Sequence, residues 1–144
     1  MSFDRIFAFT LQWEGGSKMT NDPDDPGGLT KYGLSRRANP DLDIAALTEE
    51  RAKEIYEERY WNKVALKLDP LLDMASYDTA VNVGVPRVLR WLTECPDYPA
   101  MLHRRRQHYF EIVDKNPKLN KYVKGWENRV VALSNFLEKE AANA

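Results

Sequence analysis

The sequence predicts a mostly α-helical domain with one short, irregular β-hairpin near residues 28–35. Three observations predict it. Helical spacing of apolar side chains marks both ends of the chain: Phe3, Ile6, Phe7 and Leu11 near the start, Trp126, Val130, Leu133 and Leu137 near the end. Helix-start and helix-stop residues punctuate the stretch between them. Glycine and aspartate, by contrast, concentrate in one loop, Asn21 to Thr30.

Taken in order, Ser2 can cap a first helix that runs to Trp13 or Glu14, with Asp4 well placed in its first turn. Gly15-Gly16 stops it. Residues 15–40 are rich in loop formers, and Leu29 to Ser35 is the segment able to pair as a hairpin. Thr48 caps a helix from Glu49 to about Trp61, whose charged residues mark a solvated face. Asp69-Pro70 opens a helix that continues through Val83 and is closed by Gly84. Pro86 opens another, to about Thr93. A long helix follows from about Pro99 to Val113, then a turn at Asn116-Pro117 and a last helix around Gly125 to Lys139. Arg104-Arg105-Arg106 spans most of a turn and is expected to form a solvated flank.

Composition sets the outer limits. A chain of 144 residues with 43% hydrophobic content and four Trp forms one domain, or two small lobes sharing a core. A formal net charge of −1 gives no whole-protein case for nucleic acid or a membrane surface. The single Cys95 excludes an internal disulfide. No apolar run approaches the ~18 residues of a membrane-spanning helix, and the N-terminal residues lack a secretory signal pattern. The expectation is a soluble monomer without stable membrane insertion.

The chemistry gathers around Glu14. An acid on the buried side of a helix, where the helix breaks, is costly, because burial and the negative end of the helix dipole both disfavour its charged form. A general acid needs the protonated form. Beyond it lie Asp22, Asp24 and Asp25. A calcium loop starting at Asp22 would place Pro26 and Gly33 at ligand positions 5 and 12, where neither offers a side-chain oxygen. For zinc, His103 and His108 lie five apart and off one helix face. No metal and no cofactor are expected. Paired carboxyls across a glycosidic bond are the better reading: Glu14 as proton donor, Asp22 or Asp25 handling water or the developing cation. Gly28 permits close backbone approach, and the Thr30 hydroxyl can hold a water.

At these residues the sequence resembles glycoside hydrolase family 108. The match runs through Glu14-Gly15-Gly16, then Asp25-Pro26-Gly27-Gly28-Leu29-Thr30-Lys31-Tyr32-Gly33-Leu34. It continues at Tyr60-Trp61, at Tyr77-Asp78-Thr79-Ala80-Val81-Asn82-Val83-Gly84 and at Gly125-Trp126-Glu127-Asn128-Arg129-Val130. The resemblance implies a lysozyme-like fold and a muramidase acting on the peptidoglycan glycan strand, with residues 1–72 as catalytic lobe and 73–144 as a C-terminal helical lobe. It implies Glu14 as catalytic acid, with Asp25, or else Asp22, and Thr30 as helpers. Tyr32, Tyr60 or Trp61 would line the cleft. Asp78 and Asn82 would either bind saccharide hydroxyls or N-acetyl groups or cap the neighbouring loop. The stretch Arg87–Pro99 departs from the family pattern in being short, so the C-terminal lobe is expected mainly to complete the fold. The rival readings are a lytic transglycosylase and a non-catalytic wall-binding or secretion-associated protein. The family also implies a phage endolysin, held in the host cytoplasm until a holin-like pore admits it to the wall.

Overall fold

Local capping and helical periodicity account for most of the architecture. A computed structural model describes residues 2–21, 28–66 and 69–144. In chain order these form α1 (Ser2–Trp13), β1 (Thr30–Lys31), β2 (Leu34–Ser35), α2 (Glu49–Tyr56) and α3 (Asn62–Val64). Then come α4 (Pro70–Val83), α5 (Val85–Leu92), α6 (Tyr98–Lys115) and α7 (Val123–Ala142). Short 3-10 turns occupy Ile44–Ala46 and Pro117–Tyr122. This is the mostly helical fold with a small antiparallel hairpin that the sequence predicts. The described residues divide into two compact units, Phe3–Arg59 and Tyr60–Ala144.

In the first unit, α1 buries Phe3, Ile6, Phe7, Thr10 and Leu11. The Phe7 ring lies 5.8 Å from Phe3 and 5.7 Å from Tyr56 of α2. The Thr48 hydroxyl caps α2 by accepting the Arg51 N–H at 3.2 Å. Strands β1 and β2 pair antiparallel, Thr30 with Ser35 and Lys31 with Leu34. Their two-residue turn, Tyr32-Gly33, has positive φ at both positions (53° and 73°), as a type I′ hairpin turn requires.

In the second unit, α4 is the central helix. Every residue from Leu72 to Ala80 is buried, with α5, α6 and α7 packed around it. Asp69 caps it by accepting the Leu71 N–H at 2.9 Å, Pro70 sits in its first turn, and Gly84 ends it at φ 100°.

The structure departs from the sequence expectations in three places. The expected helix Glu49–Trp61 changes to π-helical geometry over Glu57–Trp61. Helix α6 starts at Tyr98 because Asp97 caps it, accepting the Ala100 N–H at 3.0 Å. Arg105 is not part of a solvated flank: it is completely buried, because a carboxylate on α4 draws it inward. Its neighbours do stay nearer the surface, Arg104 over the Trp91 ring and Arg106 on Glu127.

Candidate active site

Glu14 lies one residue beyond the end of α1, in the turn the two glycines create. Its N–H is accepted by the carbonyls of Thr10 (3.0 Å) and Leu11 (3.1 Å). Gly15 and Gly16 take positive φ, and the Gly16 N–H reaches back to the Leu11 carbonyl at 2.8 Å. That six-to-one bond is the glycine-dependent closure of a helix C-terminus. Because α1 stops at Trp13, Glu14 is half-buried, not on the buried face the sequence suggests.

The hairpin turn presses against this acid. A Cβ placed on Gly33 would lie 2.8 Å from the Glu14 Cβ, 3.3 Å from its carbonyl oxygen and 2.5 Å from the Tyr56 hydroxyl. Only glycine fits there. The Tyr56 hydroxyl donates to the Tyr32 carbonyl at 2.8 Å, a buried bond that fastens the turn to α2. Three elements thus meet at one point: the end of α1, the β1–β2 turn and the last residue of α2.

Thr30 stands in β1, half-buried, its backbone paired with Thr20 at 2.8 and 2.9 Å. Its hydroxyl donates to the Gly28 carbonyl at 3.2 Å, which leaves the hydroxyl oxygen as an acceptor for water. Asp22 and Asp25, expected as helpers of Glu14, lie outside the described residues.

Two of the expected site residues have structural partners of their own. Tyr32 is buried, its backbone carbonyl accepts the Tyr56 hydroxyl, and Lys31 Nζ lies 5.5 Å from its ring centroid. Asp78 is completely buried: its Oδ2 accepts Arg105 Nη1 at 2.8 Å and its Oδ1 accepts Arg129 Nη2 at 2.9 Å. A carboxylate enclosed by two guanidinium groups ties α4 to α6 and α7. Asn82, one turn along, accepts the Tyr109 hydroxyl through its Oδ1. Tyr60 and Trp61 are half-buried, with the Trp61 ring edge-on to Tyr77 at 5.9 Å. The arginine partners of Asp78 sit 27 and 51 residues away, beyond any local pattern.

A cavity of about 430 Å³ runs along α1 and α2, bordered by Leu11, Gln12, Gly16 and Ser17, with the Asp4–Lys53 ion pair beside it. The hydrogen bond from Lys53 holds the exposed Asp4 carboxyl below its ordinary 3.8. Glu14 flanks this cavity in sequence without lining it. Among the described residues, no group of three or more His, Cys, Asp or Glu is arranged to hold a metal. No described helix is long and apolar enough to cross a membrane.

The segment that builds this site coincides with a known family. The family model for glycosyl hydrolase 108 matches residues 7–84, more than half of the chain. Among solved structures, Brucella abortus SagA is similar in fold, with a TM-score of 0.72 at 22% identity, covering 95% of this chain and 94% of that one. No curated protein sequence matches. The family model covers more than half of the sequence, and the chain belongs to glycosyl hydrolase family 108.

Proposed function

We propose that the protein is a muramidase, hydrolysing the β-1,4 bond between N-acetylmuramic acid and N-acetylglucosamine in peptidoglycan. Family membership makes it a glycoside hydrolase with a glycan substrate. The observation that supports the finer reading is the junction at Glu14: a half-buried acid beside a glycine turn that leaves room for no side chain.

In the proposed reaction the Glu14 carboxyl gives its proton to the glycosidic oxygen as the C1–O bond breaks. A water attacks C1 and passes a proton to the carboxylate of Asp25, or of Asp22. The Thr30 hydroxyl oxygen accepts a hydrogen bond from that water. Tyr60 and Trp61 are the aromatic candidates for the sugar faces, since Tyr32 is buried. The biological setting we propose is that of a phage endolysin reaching the wall from the host cytoplasm through a holin-like pore.

Mass spectrometry of purified sacculi after digestion tests the reaction type. Hydrolysis predicts muropeptides ending in reducing muramic acid. Products ending in anhydromuramic acid would replace hydrolysis by transglycosylation, which needs one catalytic acid and no water.

A further inference from the structure

A second pocket lies wholly within the Tyr60–Ala144 unit, and of its lining residues only Asn82 is among those expected from the sequence to meet the glycan. It measures about 270 Å³ and is bordered by Asn82, Arg87, His108, Tyr109, Ile112 and Trp126. That is slightly below the range typical of drug-sized ligands, so its occupant is smaller.

The hydrogen bonds around it have a fixed direction. Buried Arg105 donates through Nε to the Tyr109 hydroxyl at 2.8 Å. Arginine has no acceptor, so the hydroxyl oxygen receives that bond and its own hydrogen goes to Asn82 Oδ1. This fixes the amide orientation. Asn82 therefore has its Nδ2 hydrogens left to offer, and they have no partner among the described residues. Arg87 is anchored by one bond, Nη1 to the Val83 carbonyl at 3.0 Å, which leaves its Nε and Nη2 donors. Trp126 stacks on Tyr109 at 5.0 Å, and its indole N–H makes no hydrogen bond to a described residue. No carboxylate borders the pocket. Three of the lining side chains, Asn82, Arg87 and Trp126, thus keep free donors, and the one ion among them, Arg87, is a cation.

Burial and the nearby Arg87 hold the His108 imidazole below its ordinary 6.5, so it is neutral near pH 7 and keeps one lone pair. That lone pair suits an amide N–H next to an anionic group. Ile112 and Val83 supply apolar walls.

We infer that this pocket binds an acylated chain-terminal carboxylate, with Arg87 and Asn82 donating to the carboxylate oxygens, His108 accepting the adjacent amide N–H, and Trp126 lining one side. The inference stands apart from the proposed hydrolysis and needs no turnover.

Two-dimensional NMR of the full ¹⁵N-labelled chain tests it, with N-acetylalanine, N-acetylalaninamide and acetate as probes and the Trp126 indole resonance as readout. N-acetylalanine is expected to shift that resonance saturably, and the amide and acetate to bind about tenfold more weakly or less. Arg87→Ala, at an exposed position, is expected to weaken N-acetylalanine about tenfold while the rest of the spectrum stays dispersed. Arg87→Lys should restore only part of the loss, because an ammonium lacks the fork. Acetate binding as tightly as N-acetylalanine would overturn the chain-end assignment. Equal binding of the amide, no shift by either, or full affinity in Arg87→Ala would overturn the carboxylate site.

Discussion

At Gly33 one hydrogen atom decides whether the hairpin can sit beside Glu14. An added methyl would meet the Glu14 Cβ at 2.8 Å, and φ of 73° already disfavours any side chain. Gly33→Ala is therefore expected to destabilise the protein by about 1–3 kcal/mol through strain and overpacking. It should also lower turnover on peptidoglycan, because the clash moves the acid. Tyr56→Phe is the milder probe of the same junction: it removes the bond to the Tyr32 carbonyl. Its expected cost is about 1–2 kcal/mol, with that carbonyl left unsatisfied. Thermal unfolding measured beside turnover separates the two effects. Wild-type activity in both variants would mean that the turn does not position Glu14. The glycine was legible in the sequence as part of a family motif, but the atoms it must avoid were not. They belong to α1 and α2, which the chain brings back only on folding.

Between elements, the Asp78 carboxylate does the work that apolar packing does elsewhere along α4. It is shared between Arg105 of α6 and Arg129 of α7, and all three side chains are buried. Removing the shared carboxylate strands two guanidinium groups in the interior, and Asp78→Ala is expected to lose about 3–5 kcal/mol in urea unfolding. Arg105→Met leaves Asp78 paired with Arg129 and is expected to lose less than Asp78→Ala. A change within ~0.5 kcal/mol for Asp78→Ala, the usual range for surface substitutions, would show that the pairing adds nothing. This scale also separates what local sequence encodes from what it does not. Thr48, Asp69-Pro70 and Gly84 were readable as caps because each acts within three or four residues of itself. Arg105 reads as one of three surface arginines, since nothing nearby in sequence announces Asp78. Trp126 likewise reveals its stacking on Tyr109 only once α6 and α7 are packed.

For the molecule as a whole, His108 contributes a pH dependence of stability with a definite sign. Its folded pKa lies below the ordinary 6.5, chiefly because burial disfavours the imidazolium. In that window the unfolded chain binds more protons, so stability rises with pH. The contribution is fully present above about 6.5 and is lost as pH falls through the folded value. His108→Gln should flatten this part of the profile between about pH 7.5 and 5, measured by denaturant unfolding. An unchanged slope in the variant would assign the dependence to other groups. Cys95 adds no comparable sensitivity near neutrality, since burial pushes its thiol above the ordinary 9.0.

The helical class, the hairpin and the family were all legible at this scale, because they rest on periodicity, caps and ordered motifs. The division of labour among the acids was less so. The sequence marks Glu14 by its place at a helix end, whereas the partners of Asp78, equally prominent in its motif, appear only on folding. The central claim is that Glu14 is the proton donor. The most direct measurement is the lysis of purified sacculi by Glu14→Gln, with circular dichroism confirming an unchanged fold. The prediction is loss of lysis with the helical spectrum intact; lysis at the wild-type rate would contradict it.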